Sequence, residues 1–435
     1  MHRYTFRRAP LRLVPALGVL IAGGGVMAAT APPAAAASSG ASPVQVSGRP
    51  MYTTEGGATP LPTDRTVPHW YGSFTDPTNG VTYGYNMVGN GDPRTYHGTT
   101  TVPTEIIPLN FTFSDGSAFK GSDVTAATIA SPVFQDNSYA TARVTPGGKA
   151  QPLSAAGTTQ LEDAVMRSQF NQVGKSTFHL LLGQPTVLPT QSIPVPANQG
   201  VVASFGPGFR SFGDVNITWF AAEMNTLINS LHIDPATLPI FLTDNVYLYE
   251  GNNPGNCCVL GFHGAGHVTG NGSGSVNGQG TQGVQTYAYA AYAQPGTWST
   301  SSQPATPDGS DGYYIQDIHA LSHEISEWAD DPFTNNTVDP WLTPTAPQYG
   351  CSSLLETGDP VVGIGVLIGK NPYFQTAGAN ADGAWHPEDE AFLPWFARQD
   401  PNTTSEPLQK GTTGRYTFFG TLNPYPGFQK PATGC

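Results

Sequence analysis

The sequence predicts an α+β fold: a twisted mixed sheet, rich in loops, packed against two main helices. Three observations lead there. The 435 residues include 51 Gly and 40 Pro, and only 11% are charged, which excludes a helical bundle or a coiled coil. Aromatic residues make up 11%, too many for a disordered chain and enough for an ordered core. Several strand-like runs precede one amphipathic segment in which histidines and glutamates cluster. A chain of this length can bury a large core. Its net charge of −13, with no Lys/Arg-rich stripe, excludes a nucleic-acid binder.

The chain opens on Arg3, Arg7, Arg8 and Arg12, followed by an apolar stretch over 13–29 and small residues over 34–38. This is the pattern of a secretory signal peptide, here 1–37. Its removal takes away four arginines and no acid, leaving an exported, still more acidic protein. No later stretch is long and apolar enough to span a bilayer, so no membrane association is expected after cleavage. Export permits disulfides. Cys257, Cys258, Cys351 and Cys435 allow three pairings. Adjacent cysteines close a strained ring, so one of Cys257 and Cys258 is expected to reach Cys351 or Cys435.

Residues 38–100 lack sustained periodicity and are rich in Gly, Pro, Ser and Thr, which predicts a flexible arm. The domain proper is 101–435. The run 104–113 reads as its first core strand. Residues 159–171 read as a helix, and 176–182 as a strand. Ile217, Phe220, Met224, Leu227, Ile228 and Leu231 repeat with a 3.6-residue period, giving a helix stopped by Pro235. Strands are expected over 240–249, 257–262 and 284–292. The Gly/Asn/Ser-rich stretch 264–283 reads as a flexible excursion. A helix is expected over 312–329, with Tyr314, Ile318, Leu321, Ile325 and Trp328 on a core-facing stripe. Beyond it come mainly loops, including 386–390, which reads as a loop anchored by Trp385, Trp395 and Phe396.

The chemistry lies in the 312–329 helix. His319, His323 and Glu327 fall on a face separate from the apolar stripe, with Glu324 at its edge. Side chains at i and i+4 can direct two donor atoms at one ion. A carboxylate beside the first ligand can act as general base, as in His-Glu-x-x-His hydrolases. Here the pattern is His323-Glu324-x-x-Glu327. Carboxylate is a harder ligand than imidazole, so zinc is expected with calcium or manganese as alternatives. A catalytic zinc needs a third protein ligand. His319 is two turns from Glu327, too far to share an ion easily with it. Glu356 and Asp359 are the leading candidates, with His386, His263 and His267 behind them.

The run 323–336, followed by Glu356-Thr357-Gly358-Asp359, resembles the core of the plant exordium / phosphate-induced-protein family. It resembles more closely a group of secreted bacterial proteins that carry the Ser-His-Glu-Ile-x-Glu-Trp run. Those proteins also have a vicinal Cys pair before Leu-Gly-Phe/Tyr-His, here 257–263, and a late Leu-Pro-Trp-Phe, here 393–396. The match covers about 255–400 and is strongest over 319–360. It implies secretion, a zincin-like helix and a site at His323, Glu324, Glu327, Glu356 and Asp359.

The sequence thus points to a secreted metal-dependent hydrolase, first of all a zinc peptidase. Glu324 would be the catalytic base, and the metal-ligating residues would be His323, Glu327 and a third, Glu356 first or else Asp359. The partner would be a peptide or an extracellular polymer. The alternative is a non-catalytic secreted protein that binds cell-wall or extracellular polymer and holds a structural ion on the same helix.

Overall fold

The computed structural model describes residues 42–139, 157–270, 281–301, 312–343, 351–373, 382–404 and 414–420. The segment expected to be a signal peptide, Cys435 and the 271–280 part of the glycine-rich stretch lie outside them. The described residues belong to one unit, Gly40–Cys435. Among them no helix is long and apolar enough to cross a membrane.

The architecture is mixed α/β around a 12-stranded mixed sheet. Its centre runs Cys257–Gly270, Thr281–Tyr292, Leu238–Asp244, Thr104–Thr112. The first pair is antiparallel and the next two are parallel. Among the described residues, four helices of two or more turns accompany it: α1 (Gly121–Ile129), α2 (Leu161–Gln169), α3 (Ile217–Leu231) and α4 (His319–Asp330).

Alternation along the strands sends residues to two cores. Tyr287 and Tyr289 point toward α3, where the Phe220 and Tyr289 rings lie 4.9 Å apart. Thr286 faces the opposite side and accepts a hydrogen bond from Trp328 Nε1 of α4 at 2.9 Å. Ala290, on that same face, joins the core of Leu321 and Ile325. Small residues there let α4 lie close against the sheet.

The predicted α3 boundaries agree with the structure. Asn216 caps the helix by accepting from Trp219 N at 3.0 Å, worth about 1 kcal/mol. Left-handed His232 ends it.

Three expectations need correction. The 38–100 segment is not a loose arm: it contributes five strands, and Met51–Gly56 pairs in parallel with the Cys257–Gly270 strand. The glycine-rich 264–283 stretch is not a plain excursion, because 264–270 and 281–283 pair across the central hairpin. The helix expected over 312–329 starts at His319, not at 312. Asp317 is committed elsewhere, its backbone bridging Ala293 in both directions and its carboxylate holding His386, so Tyr314 lies before the helix. The side chains of Cys257 and Cys258 lie against each other.

Candidate metal centre

α4 is buried along its whole length, its polar face included. His319, His323, Glu324 and Glu327 have no solvent exposure. A solvated polar face is therefore not what these residues form. Three further segments close on them: the Cys257–Gly270 strand with His263, the loop from Glu356 to the short 3₁₀ turn Asp359–Val361, and the loop carrying Glu388.

The His323 ring is fixed on three sides. Nδ1 donates to Glu388 Oε2 at 2.9 Å. The Tyr52 ring stacks on it with centroids 3.4 Å apart. Gly358 passes so close that a Cβ there would collide with Nδ1. These contacts leave Nε2 facing Glu327 Oε1 at 3.1 Å and Asp359 Oδ1 at 3.9 Å. Glu327 Oε1 is itself steadied by the backbone N–H groups of Gly358 and Asp359, at 3.1 and 3.3 Å.

Two groups of potential ligands result. His323, Glu327 and Asp359 bring donor atoms within 4.8 Å of one another, and so do His263, Glu327 and Glu356. His323 Nε2, Glu327 Oε2, Glu356 Oε1 and His263 Nε2 are buried without a hydrogen-bond partner. Buried polar atoms are ordinarily satisfied, and orphans ask for an ion or water. Donors bound tetrahedrally to one zinc at ~2.1 Å sit about 3.4 Å apart. The His323–Glu327 and His323–Asp359 separations of 3.1 and 3.9 Å bracket that distance, and His323 Nε2 is not aligned for hydrogen bonding. The residues present therefore fit a divalent cation.

The electrostatics follow from burial. Desolvation pushes Glu356 and Asp359 well above the usual carboxylate range, with the Glu327 charge adding to it. Desolvation also moves Glu324 up to about 7, against the pull of His263 and His323. Burial works against protonated His323, yet Glu327 and Glu388 outweigh it and raise the imidazole. The same opposition raises His263, mainly through Glu356 and Glu324. Burial likewise opposes an ionised Glu327, but His323 and His263 hold it well below its ordinary range. Asp359 alone keeps partial solvent contact, with 22% of its side chain exposed.

All five residues expected from the sequence meet here. Glu324 lies between α4 and the neighbouring strand, where Oε2 accepts from His263 Nδ1 at 3.3 Å and Oε1 has no partner. His319 stands off the ligand groups, 3.3 Å from Glu388 Oε2 but not aligned for a hydrogen bond, and burial lowers its pKa well below the usual value. His386 is engaged elsewhere, between Asp317 Oδ2 at 2.8 Å and Asp382 Oδ2 at 3.1 Å. His267 joins neither ligand group.

Sequence reasoning ranked His263 low and did not assign Glu388. His263 is the first ionisable side chain in the apolar run that starts at Cys257, a signal available in the sequence. Glu388 belongs to 386–390, where His386, Glu388 and Glu390 are fully buried, and the neighbouring Trp385, Trp395 and Phe396 are buried as well. No family model, curated protein or solved structure matches this chain significantly.

Proposed function

We propose that the chain is a secreted metal-dependent hydrolase, and within that class a peptidase, acting through His323, Glu324 and Glu327. The observation that carries the reading is the approach of His323 Nε2 to Glu327 Oε1, 3.1 Å apart and buried without a hydrogen bond between them. Together with Asp359 they form a ligand group in which zinc is the first choice and manganese or calcium the alternatives. The zincin-like description of helix and sheet belongs to this proposal, as do export and the resemblance to exordium-type proteins.

When bound, the ion supplies Lewis acidity to the scissile carbonyl and to the attacking water. The chain does the rest. Glu388 fixes the His323 tautomer and ring plane through Nδ1. Glu324 Oε1, free of protein partners, takes a proton from the water as its oxygen bonds to the carbonyl carbon. It returns that proton to the amine nitrogen as the C–N bond breaks.

Glu324→Gln tests the role. The variant should keep its metal and lose peptide hydrolysis by at least ~100-fold. Hydrolysis at the wild-type rate would remove Glu324 from the mechanism.

One observation favours a second reading, a non-catalytic protein with a structural ion that associates with cell-wall or extracellular polymer. The site is closed: His263, His323 and Glu324 are fully buried, and Tyr52 covers His323. On that reading the wild type hydrolyses no peptide, and both it and Glu324→Gln bind polysaccharide or peptidoglycan equally.

A further inference from the structure

The two ligand groups share one residue. His323, Glu327 and Asp359 form one, and His263, Glu327 and Glu356 form the other. Glu327 divides its oxygens between them. Oε1 faces His323 Nε2 at 3.1 Å, and Oε2 faces His263 Nδ1 at 3.5 Å. We propose that the site is dinuclear, with Glu327 as the bridging carboxylate and a second cation held by His263 and Glu356. This rests on the reading of α4 as a metal-binding helix and extends it.

Three observations support the second position. The first is the absence of any hydrogen-bond partner for Glu327 Oε2 and Glu356 Oε1, both buried on the His263 side. A single ion beside His323 and Asp359 would leave both orphaned. The second is symmetry of donor type: each position offers one imidazole and one carboxylate of its own, plus one oxygen of the shared Glu327. The two ions of such centres lie ~3.5–4 Å apart, a spacing that one carboxylate spans.

The third is charge. Among the described residues, Glu324, Glu327 and Glu388 have only histidines as ion-pair partners. Glu356 adds another buried carboxylate close by. A ligating imidazole is neutral and no longer balances these carboxylates, so bound cations take over that role. The mixed imidazole–carboxylate set suits zinc or manganese at both positions. Two-ion centres clamp both the attacking and the leaving atoms of a hydrolytic substrate, so a dinuclear site fits amide or phosphoester substrates.

The test is metal stoichiometry of the purified chain, stripped and reloaded with Mn²⁺, read by mass spectrometry of metal content and by electron paramagnetic resonance. Two ions per chain with an exchange-coupled spectrum are expected in the wild type. His263→Ala and the milder Glu356→Gln should each fall to one ion with an isolated Mn²⁺ spectrum, and Glu327→Ala should lose both ions. Circular dichroism verifies folding, and Glu356→Gln keeps the test decisive where His263→Ala does not fold. One ion per chain, unaffected by His263→Ala and Glu356→Gln but lost in His323→Ala, would overturn the dinuclear proposal and leave the mononuclear reading standing. No ion in the wild type would sink both.

Discussion

Nδ1 of His323 donates to Oε2 of Glu388, 65 residues further along the chain, at 2.9 Å. Gly363 N and Ser322 Oγ hold Glu388 in turn, the first on Oε1 at 2.6 Å and the second accepting from its backbone N–H at 2.9 Å. A carboxylate behind a metal-binding imidazole selects its tautomer and strengthens it as a ligand. Glu388 is therefore a positioning residue for His323.

Glu388→Gln should weaken metal binding by about 10–100-fold with the fold intact. Competition against a chromophoric chelator measures this directly. Affinity equal to wild type would mean that the Glu388 contact only packs the loop.

Two glycines set the approach of backbone to site. A Cβ at Gly261 would stand 2.7 Å from both Cγ and Oε1 of Glu324 and 2.9 Å from the Tyr289 carbonyl oxygen. Gly261→Ala should displace Glu324, costing about 1–3 kcal/mol of stability and most of the hydrolytic activity while leaving metal bound at His323. Gly358→Ala should instead displace His323 and abolish metal binding. Identical behaviour of the two variants would contradict this division.

His386 supplies a pH test away from the ligands. Burial disfavours its charged form, but Asp317 and Asp382 outweigh burial and lift its pKa to about 9. His319, which feels the charge of His386, stays neutral, and the Tyr313 ring packs edge-on to His386. A group raised in the folded state stabilises fully below its unfolded pKa and loses that contribution as pH rises through the folded value. The wild type should thus lose on the order of 3 kcal/mol between pH 6.5 and 9.5 from this group. Urea unfolding of His386→Asn should show that part of the slope removed. An unchanged slope would assign the alkaline loss to other groups.

The helices were legible where apolar spacing is undiluted. α3 follows the period of Ile217, Phe220, Met224 and Ile228 to its ends at Ile217 and Leu231, because one side of it faces a core and the other solvent. The core of α4 was legible for the same reason, but its start was not. The residues before it follow contacts with Ala293 and His386 that local sequence does not encode.

The central hairpin was misread because glycines ordinarily weaken strands. Here they are required by crowding: Gly261 faces Glu324, and Gly264 lies against the Glu55 carbonyl and the Tyr287 ring. Met51–Gly56 was missed because its partner strand, rather than its own alternation, makes it a strand. In the site, the i and i+4 pair His323 and Glu327 was visible from spacing alone. His263 and Glu388 lie more than 50 residues away in sequence on either side, and only the sheet and the returning loops bring them in.

The most direct test of the central claim is the metal content of the purified protein, by inductively coupled plasma mass spectrometry, with His323→Ala in parallel. A stoichiometric divalent cation, zinc first, is expected to survive dialysis in the wild type and to be lost or reduced in the variant. Wild-type protein that stays free of metal after incubation with zinc would contradict the claim and reduce the buried His323–Glu327 face to a packing element.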